Sequence, residues 1–214
     1  MSLEPFTVVS GAAAPMMLAN VDTDVIIRIE RLTSLARDQL GPYAFEALRY
    51  RPDGSDDPDC VINQPAFRHA PFLLAGPNFG CGSSREGAVW ALQGIGVRCV
   101  IAPSYGDIFY SNCFQNGVLP IQLDRADVLA IAGELEAATR PGSNSEPRLS
   151  IDLEKREVVT PSGRRIAFHV DGIRRKALLT GLNEVALTLT REAEIAAHQA
   201  KARKATPWLY PAGD

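Results

Sequence analysis

The sequence predicts an α/β fold, a central sheet with flanking helices, and three observations carry that prediction. Residues 72–101 run strand, loop, helix, strand. FLLA at 72–75 reads as a buried strand, a loop with Gly76, Gly80 and Gly82 follows, and Ala88, Val89, Ala91, Leu92 and Ile95 recur at helical spacing before a second apolar run at 97–101. The alternation continues with a short amphipathic helix at 107–116, carrying Ile108, Phe109 and Phe114, and a strand at 118–123. Near the end, residues 149–159 and 165–170 alternate on either side of Pro161-Ser162-Gly163, the pattern of a β-hairpin.

Composition bounds the function classes. A chain of 214 residues fits one domain, or one with an appended helical region. Hydrophobic residues make up 46%, charged residues 22%, and the net charge of −3 gives no nucleic-acid surface. The longest apolar runs are too short to span a bilayer, and MSLEPFTVV lacks the basic start and apolar core of a secretory signal, so a cytoplasmic location is expected. Cys60, Cys81, Cys99 and Cys113 form no C-x-x-C pair and read as reduced thiols.

In order along the chain, residues 6–9 are expected to form the first strand, with Gly11 in a turn. Asp22 and Asp24 sit in a turn, where aspartates ordinarily satisfy backbone N–H groups. Residues 38–49 are expected to be one helix, through Leu40, Ala44, Ala47 and Leu48, and 51–59 (RPDGSDDPD) a mobile polar loop. His69, beside Pro71, reads as a surface residue. Ser83 to Glu86 has the Ser-x-x-Glu spacing of a capping box, an ordinary stabilising device. The same helix start, with Arg85 as a fixed fork-shaped cation, would also suit a small polycarboxylate and would steady a serine oxyanion. Cys81 lies in the same loop, but no feature of the sequence supplies it with a base. The loop lacks the lysine of a P-loop and the third glycine of a dinucleotide site, and no G-x-S-x-G elbow is present. Helices are expected at 124–138, at 171–180 (closed by Gly181) and at 190–203. Arg174, Arg175 and Lys176 form the most basic cluster, a solvated face or else a contact between subunits. Trp208 and Tyr210 place an aromatic pair in the tail. The boundaries expected are a domain at 1–189 and a C-terminal helix and tail at 190–214.

Three motifs together resemble the small subunits of 3-isopropylmalate dehydratase, a leucine-pathway isomerase of the aconitase superfamily. They are NVDTDVII at 20–27, GPNFGCGSSRE at 76–86 and IAPSYGDIFYSNCFQNGVLPI at 101–121, and the resemblance spans about residues 6–189. It implies the swivelling β/β/α domain that closes over a separate catalytic subunit. It further implies Ser83 as the base that removes a proton from carbon, Ser84 and Arg85 as carboxylate ligands, and Asp24 in the active site, paired with a histidine of the catalytic domains. Asp22 would be structural. No cysteine set here suits a cluster, so no cofactor is expected on this chain. A four-iron four-sulfur cluster is expected on the large subunit, in a heterodimer or heterotetramer acting on a small dicarboxylate.

Two departures stand out. Relatives commonly have proline directly after Ile-Ile and an aromatic-Leu pair further on, in the loop implied to select the substrate's side group. This chain has Arg28, then Arg31-Leu32-Thr33. Both arginines can be surface residues. Alternatively, Arg31 contacts substrate and favours a polar substituent over isopropyl, because an unpaired guanidinium beside an alkyl group is costly. That keeps open a methylmalate–citraconate or homoaconitate reaction, as well as a non-catalytic anion-binding module. Gly87 stands where many relatives have histidine. Residues 25–59 are expected to be disordered without the partner.

Overall fold

A computed structural model describes residues 3–140, 142–143 and 146–209. Seven strands form one sheet in the order β4-β3-β2-β1-β5-β6-β7. They are β1 (Val8–Met16), β2 (Phe72–Ala75), β3 (Cys99–Ala102), β4 (Leu119–Gln122), β5 (Arg148–Asp152), β6 (Glu157–Val159) and β7 (Arg165–Ala167). From β1 to β4 the strands are parallel, with Ala13 opposite Phe72, Leu73 opposite Val100 and Ile101 opposite Ile121. On its other edge β1 pairs antiparallel with β5, and β5, β6 and β7 continue as an antiparallel meander.

The helices are α1 (Thr23–Ile26), α2 (Ile29–Ser34), α3 (Glu46–Arg49), α4 (Gly87–Gly94), α5 (Asp107–Gln115), α6 (Arg125–Thr139), α7 (Gly172–Thr180), α8 (Glu184–Leu189) and α9 (Glu192–Ala205). Both faces of the parallel half are covered, which is why FLLA and CVIA are continuous apolar runs. The period of two divides the runs. Phe72, Leu74, Cys99, Ile101 and Leu119 join Val128, Ile131 and Leu135 of α6 on one face. Leu73, Ala75, Val100 and Ala102 join Ala88, Val89, Ala91 and Leu92 of α4, with Ile26 and Phe45, on the other.

The alternating βα pattern and the helices at 107–116, 124–138 and 171–180 are present close to their expected bounds. Asp171 caps α7 by accepting from the N–H groups of Ile173 and Arg174, and Gly181 ends it at a φ of 67°.

Other expectations need correction. The first strand runs straight through Gly11. A Cβ there would lie 2.4 Å from Pro71 Cγ, so the glycine admits a neighbouring segment and makes no turn. The expected helix at 38–49 is broken into short turns, because Gly41-Pro42 interrupts it and Phe45 takes a left-handed conformation with φ of 56°. Residues 25–59 are folded: Ile26, Ile27, Leu40, Ala44 and Phe45 are buried, and the polar loop closes through Arg51 N–H to Ser55 O (2.9 Å) and Asp57 N–H to Arg49 O (2.7 Å). The stretch 149–159 is two strands, turned back at Arg156, whose φ is 59°.

The last helix is preceded by α8, and α9 buries no residue. Trp208 is exposed, and Tyr210 lies outside the described residues. Two members of the basic cluster are engaged within the chain. The Arg174 guanidinium lies 4.9 Å from the Phe114 ring centre, and Arg175 donates to the carbonyls of Leu153 and Glu154. Among the described residues no helix is long and apolar enough to cross a membrane.

Candidate functional site

The three motifs meet beyond the carboxyl ends of the parallel strands, where open α/β sheets gather ligands. Backbone bonds clip them together. Asn20 N–H donates to Pro77 O (2.9 Å), Gly80 N–H to Val21 O (2.7 Å), Thr23 N–H to Cys81 O (2.9 Å) and Phe79 N–H to Ser104 O (3.1 Å). Side chains add Asn78 Nδ2 to Asn20 Oδ1 (2.9 Å) and Thr23 Oγ1 to the Ser83 carbonyl (3.0 Å). Thr23 is buried, so the backbone of Ser83 is held from below while its hydroxyl stays exposed.

The helix after this loop starts later than its sequence suggests. It begins at Gly87, and neither Ser83 nor Glu86 makes a side-chain capping bond to it. Ser83 and Ser84 therefore lie outside the first turn, and the expected capping box is not formed. Glu86 turns instead to Asn116, whose Nδ2 donates to Glu86 Oε1 (2.8 Å).

Arg85 organises the exposed edge. Its Nη1 is ion-paired with Asp24 Oδ1, and its Nη2 donates to Ser83 Oγ (3.3 Å). The guanidinium joins two residues of the expected site across 61 positions of chain. Positive charge beside Ser83 Oγ favours the deprotonated oxygen. Asp22 caps α1, with Val25 N–H donating to its Oδ1 (2.8 Å), the structural role expected of it.

Arg31 is engaged within its own loop. Its Nε donates to Glu46 Oε2 (3.0 Å), its Nη2 lies 2.9 Å from the same oxygen, and its guanidinium sits 4.1 Å from the centre of the Tyr43 ring. The Glu46 hydrogen bond raises the Arg31 pKa above its ordinary value. Arg28 reaches the other Glu46 oxygen at 3.8 Å. Next to Arg31, Leu32 covers Gly87: a Cβ at 87 would lie 2.3 Å from Leu32 Cδ2. Gly87 thus lies under the residue that follows Arg31.

Asn116 is a functional candidate that sequence reasoning missed. It is 4% exposed, and its Oδ1 accepts from Trp90 Nε1 (2.9 Å) and Arg37 Nη2 (3.2 Å) while its Nδ2 holds Glu86. Asn116-Gly117 reads locally as a turn, and nothing in the nearby sequence indicates a hub that fixes the residue after Arg85. His69 is exposed, as expected.

The described donor set offers no place for a metal cluster. Among the described residues no three of His, Cys, Asp and Glu gather into a metal-binding group. Cys99 and Cys113 are buried, and burial pushes both thiols well above their ordinary pKa. Cys60 and Cys81 are half-buried in separate loops. What the edge offers is a hydroxyl with a cation beside it, a second exposed hydroxyl and an open front.

Comparison with known proteins bears on this geometry. The aconitase C-terminal domain family matches residues 3–126. A second family, described as the C-terminal domain of the 3-isopropylmalate dehydratase small subunit, matches residues 184–212. The chain is 47% identical over 207 residues to a 3-isopropylmalate dehydratase small subunit of Paramagnetospirillum magneticum, covering 97% of this chain and 100% of the relative. The 3-isopropylmalate dehydratase small subunit of Parvibaculum lavamentivorans gives the same identity and coverage. The crystal structure of a 3-isopropylmalate dehydratase from Methanocaldococcus jannaschii is similar at a TM-score of 0.63 and 26% identity, over 90% of this chain and 99% of that one.

Proposed function

The chain belongs to the 3-isopropylmalate dehydratase small-subunit family, within the aconitase superfamily, and from that premise we propose that its Ser83–Arg85 edge is one half of a shared hydro-lyase active site. The activity is the interconversion of 2- and 3-isopropylmalate through 2-isopropylmaleate, in leucine biosynthesis.

One observation carries the assignment of roles. Ser83, Ser84 and Arg85 are presented at an open edge, with a cation beside one hydroxyl and no metal-binding group among the described residues. Abstraction of a proton from carbon beside a carboxylate requires a base, a hold on the carboxylate and exclusion of water. This chain supplies the first two, and a partner surface closing over the edge supplies the third. Ser83 Oγ takes the proton from the carbon next to the hydroxyl-bearing carbon and returns it in the reverse step. Arg85 Nη2 stabilises the charge on that oxygen, and Ser84 and Arg85 hold a substrate carboxylate. Departure of the hydroxyl falls to groups outside this chain. We assign the cluster expected in this family to the large subunit, and give none of the described residues of this chain a role as its ligand.

The side-group question turns on Arg31. Its charge is met by Glu46 and its face is covered by Tyr43, so it is not an unpaired cation facing substrate. We assign it to support of the 28–34 loop, with Leu32 as the apolar residue that this loop lays on the head of α4. That removes the physical argument for a carboxylated substituent, and the alkyl side group follows from the family alone.

The test is reconstitution with the large subunit, anaerobically with iron and sulfide, following absorbance of the unsaturated diacid. Turnover is expected with 3-isopropylmalate and not with methylmalate or homoisocitrate. Turnover only with either of the latter overturns the side-group assignment, and turnover with none overturns the enzymatic reading in favour of an anion-binding module.

A further inference from the structure

We propose that Asp24 is an internal stand-in for a substrate carboxylate: it holds Arg85 in position until docking of the partner draws it away. The inference rests on the reading of Arg85 as a carboxylate ligand and deepens it.

A guanidinium recognises a carboxylate best through two adjacent N–H groups pointing the same way. In this chain the outer edge of the Arg85 fork is already divided. Nη1 is paired with the Asp24 carboxylate and Nη2 donates to the Ser83 hydroxyl. A substrate carboxylate arriving at that edge meets another carboxylate on the same donor. It binds with both oxygens only when Asp24 lets go.

The geometry makes the exchange cheap and directed. The Asp24 side chain is 51% exposed, so its release into water, or to a group on the partner, strands no buried carboxylate, while the Arg85 side chain, 20% exposed, takes the substrate carboxylate in exchange. Asp24 sits on α1, whose neighbouring residues are fixed: Asp22 caps that helix, and Thr23 is bound through its N–H to Cys81 O and through its hydroxyl to Ser83 O. A rotation of the Asp24 side chain therefore frees Arg85 without moving the loop that presents Ser83. Asp24 acts through Arg85 and is a positioning residue: before assembly it keeps the guanidinium beside Ser83 Oγ, and it competes with free dicarboxylates for the same donor.

The test uses the full chain alone, with the Arg85 side-chain N–H signals followed by NMR as 3-isopropylmalate is added. With Asp24→Asn those signals are expected to shift at a concentration about two- to fivefold lower than in the unsubstituted chain, at least the range set by a partly exposed ion pair. Asp24→Glu restores the competitor and is expected to bring the midpoint back toward the original. Superimposable curves for the unsubstituted and Asp24→Asn chains, or no movement in either, overturn the proposal. Arg85→Ala in the reconstituted enzyme separates this from the underlying reading. If turnover collapses there while the Asp24→Asn curve is unchanged, Arg85 remains a ligand and only the role of Asp24 fails.

Discussion

Two loops of this chain are built from the same residue types and do different things. Residues 82–85 read Gly-Ser-Ser-Arg, and residues 162–164 read Ser-Gly-Arg. In the second loop the polar groups close on α6. Ser162 N–H donates to Glu134 Oε2 (3.1 Å), Arg164 Nη1 donates to Asp127 Oδ1 (2.9 Å), and the Ser162 hydroxyl lies 3.1 Å from that of Thr160. The result is a staple between the β6–β7 turn and a helix. In the first loop Arg85 reaches across to Asp24, and both serines remain open to solvent. Composition does not separate a candidate site from a staple; position does. One loop lies beyond the carboxyl end of a parallel strand, among three converging segments. The other joins two antiparallel strands with a helix behind it.

The contrast can be broken experimentally. Its sharpest form is Arg85→Ala, for which turnover of the reconstituted pair is expected to fall about a hundredfold, the loss of charge-assisted bonds made to substrate. The thermal unfolding midpoint of the isolated chain should barely move. Retained turnover with lowered stability would make Arg85 a staple like Arg164. Next in size is Gly87→His, whose Cβ meets Leu32. Denaturant melts are expected to show a loss of about 1–3 kcal/mol, partly recovered by adding Leu32→Ala. Full additivity of the two changes would mean that Leu32 does not support the head of α4.

Arg164→Ala should cost only about 0.2–1 kcal/mol and leave turnover unchanged, since its ion pairs are partly exposed. The smallest effect lies at Glu134. Burial works to raise its pKa, but hydrogen bonds from Thr160 and Ser162 and the charge of Arg164 outweigh it and hold the carboxyl below its ordinary value. Its contribution to stability is therefore complete above the unfolded carboxylate value and is lost as pH falls through the folded one. Urea melts between about pH 6 and pH 3 should show a shallower acid slope for Glu134→Gln.

Much of this was legible in the sequence because the signals are local. The runs FLLA and CVIA are apolar throughout since both faces of the parallel sheet are covered, and Asp171 and Gly181 bound α7 by capping chemistry that shows in single residues. The failures share a cause, which is dependence on residues distant in the chain. Gly11 looks like a turn until Pro71 lies against it. Ser-Ser-Arg-Glu has the spacing of a capping box, but Thr23 and Asp24 hold Ser83 and Arg85, and Asn116 takes Glu86, so the helix opens only at Gly87. The partners of Arg31, Glu46 and Tyr43, are likewise more than ten residues away in the chain and do not show in its local sequence. The motifs identified Ser83, Ser84, Arg85 and Asp24 as a set; only the fold shows which of them touch.

The central claim is that Ser83 is the base of a shared active site, and the most direct measurement is turnover of 3-isopropylmalate by the large subunit reconstituted with Ser83→Ala, with assembly checked by gel filtration. The account predicts a loss of several orders of magnitude in a complex that still forms. An intact complex that turns over at the unsubstituted rate would contradict it.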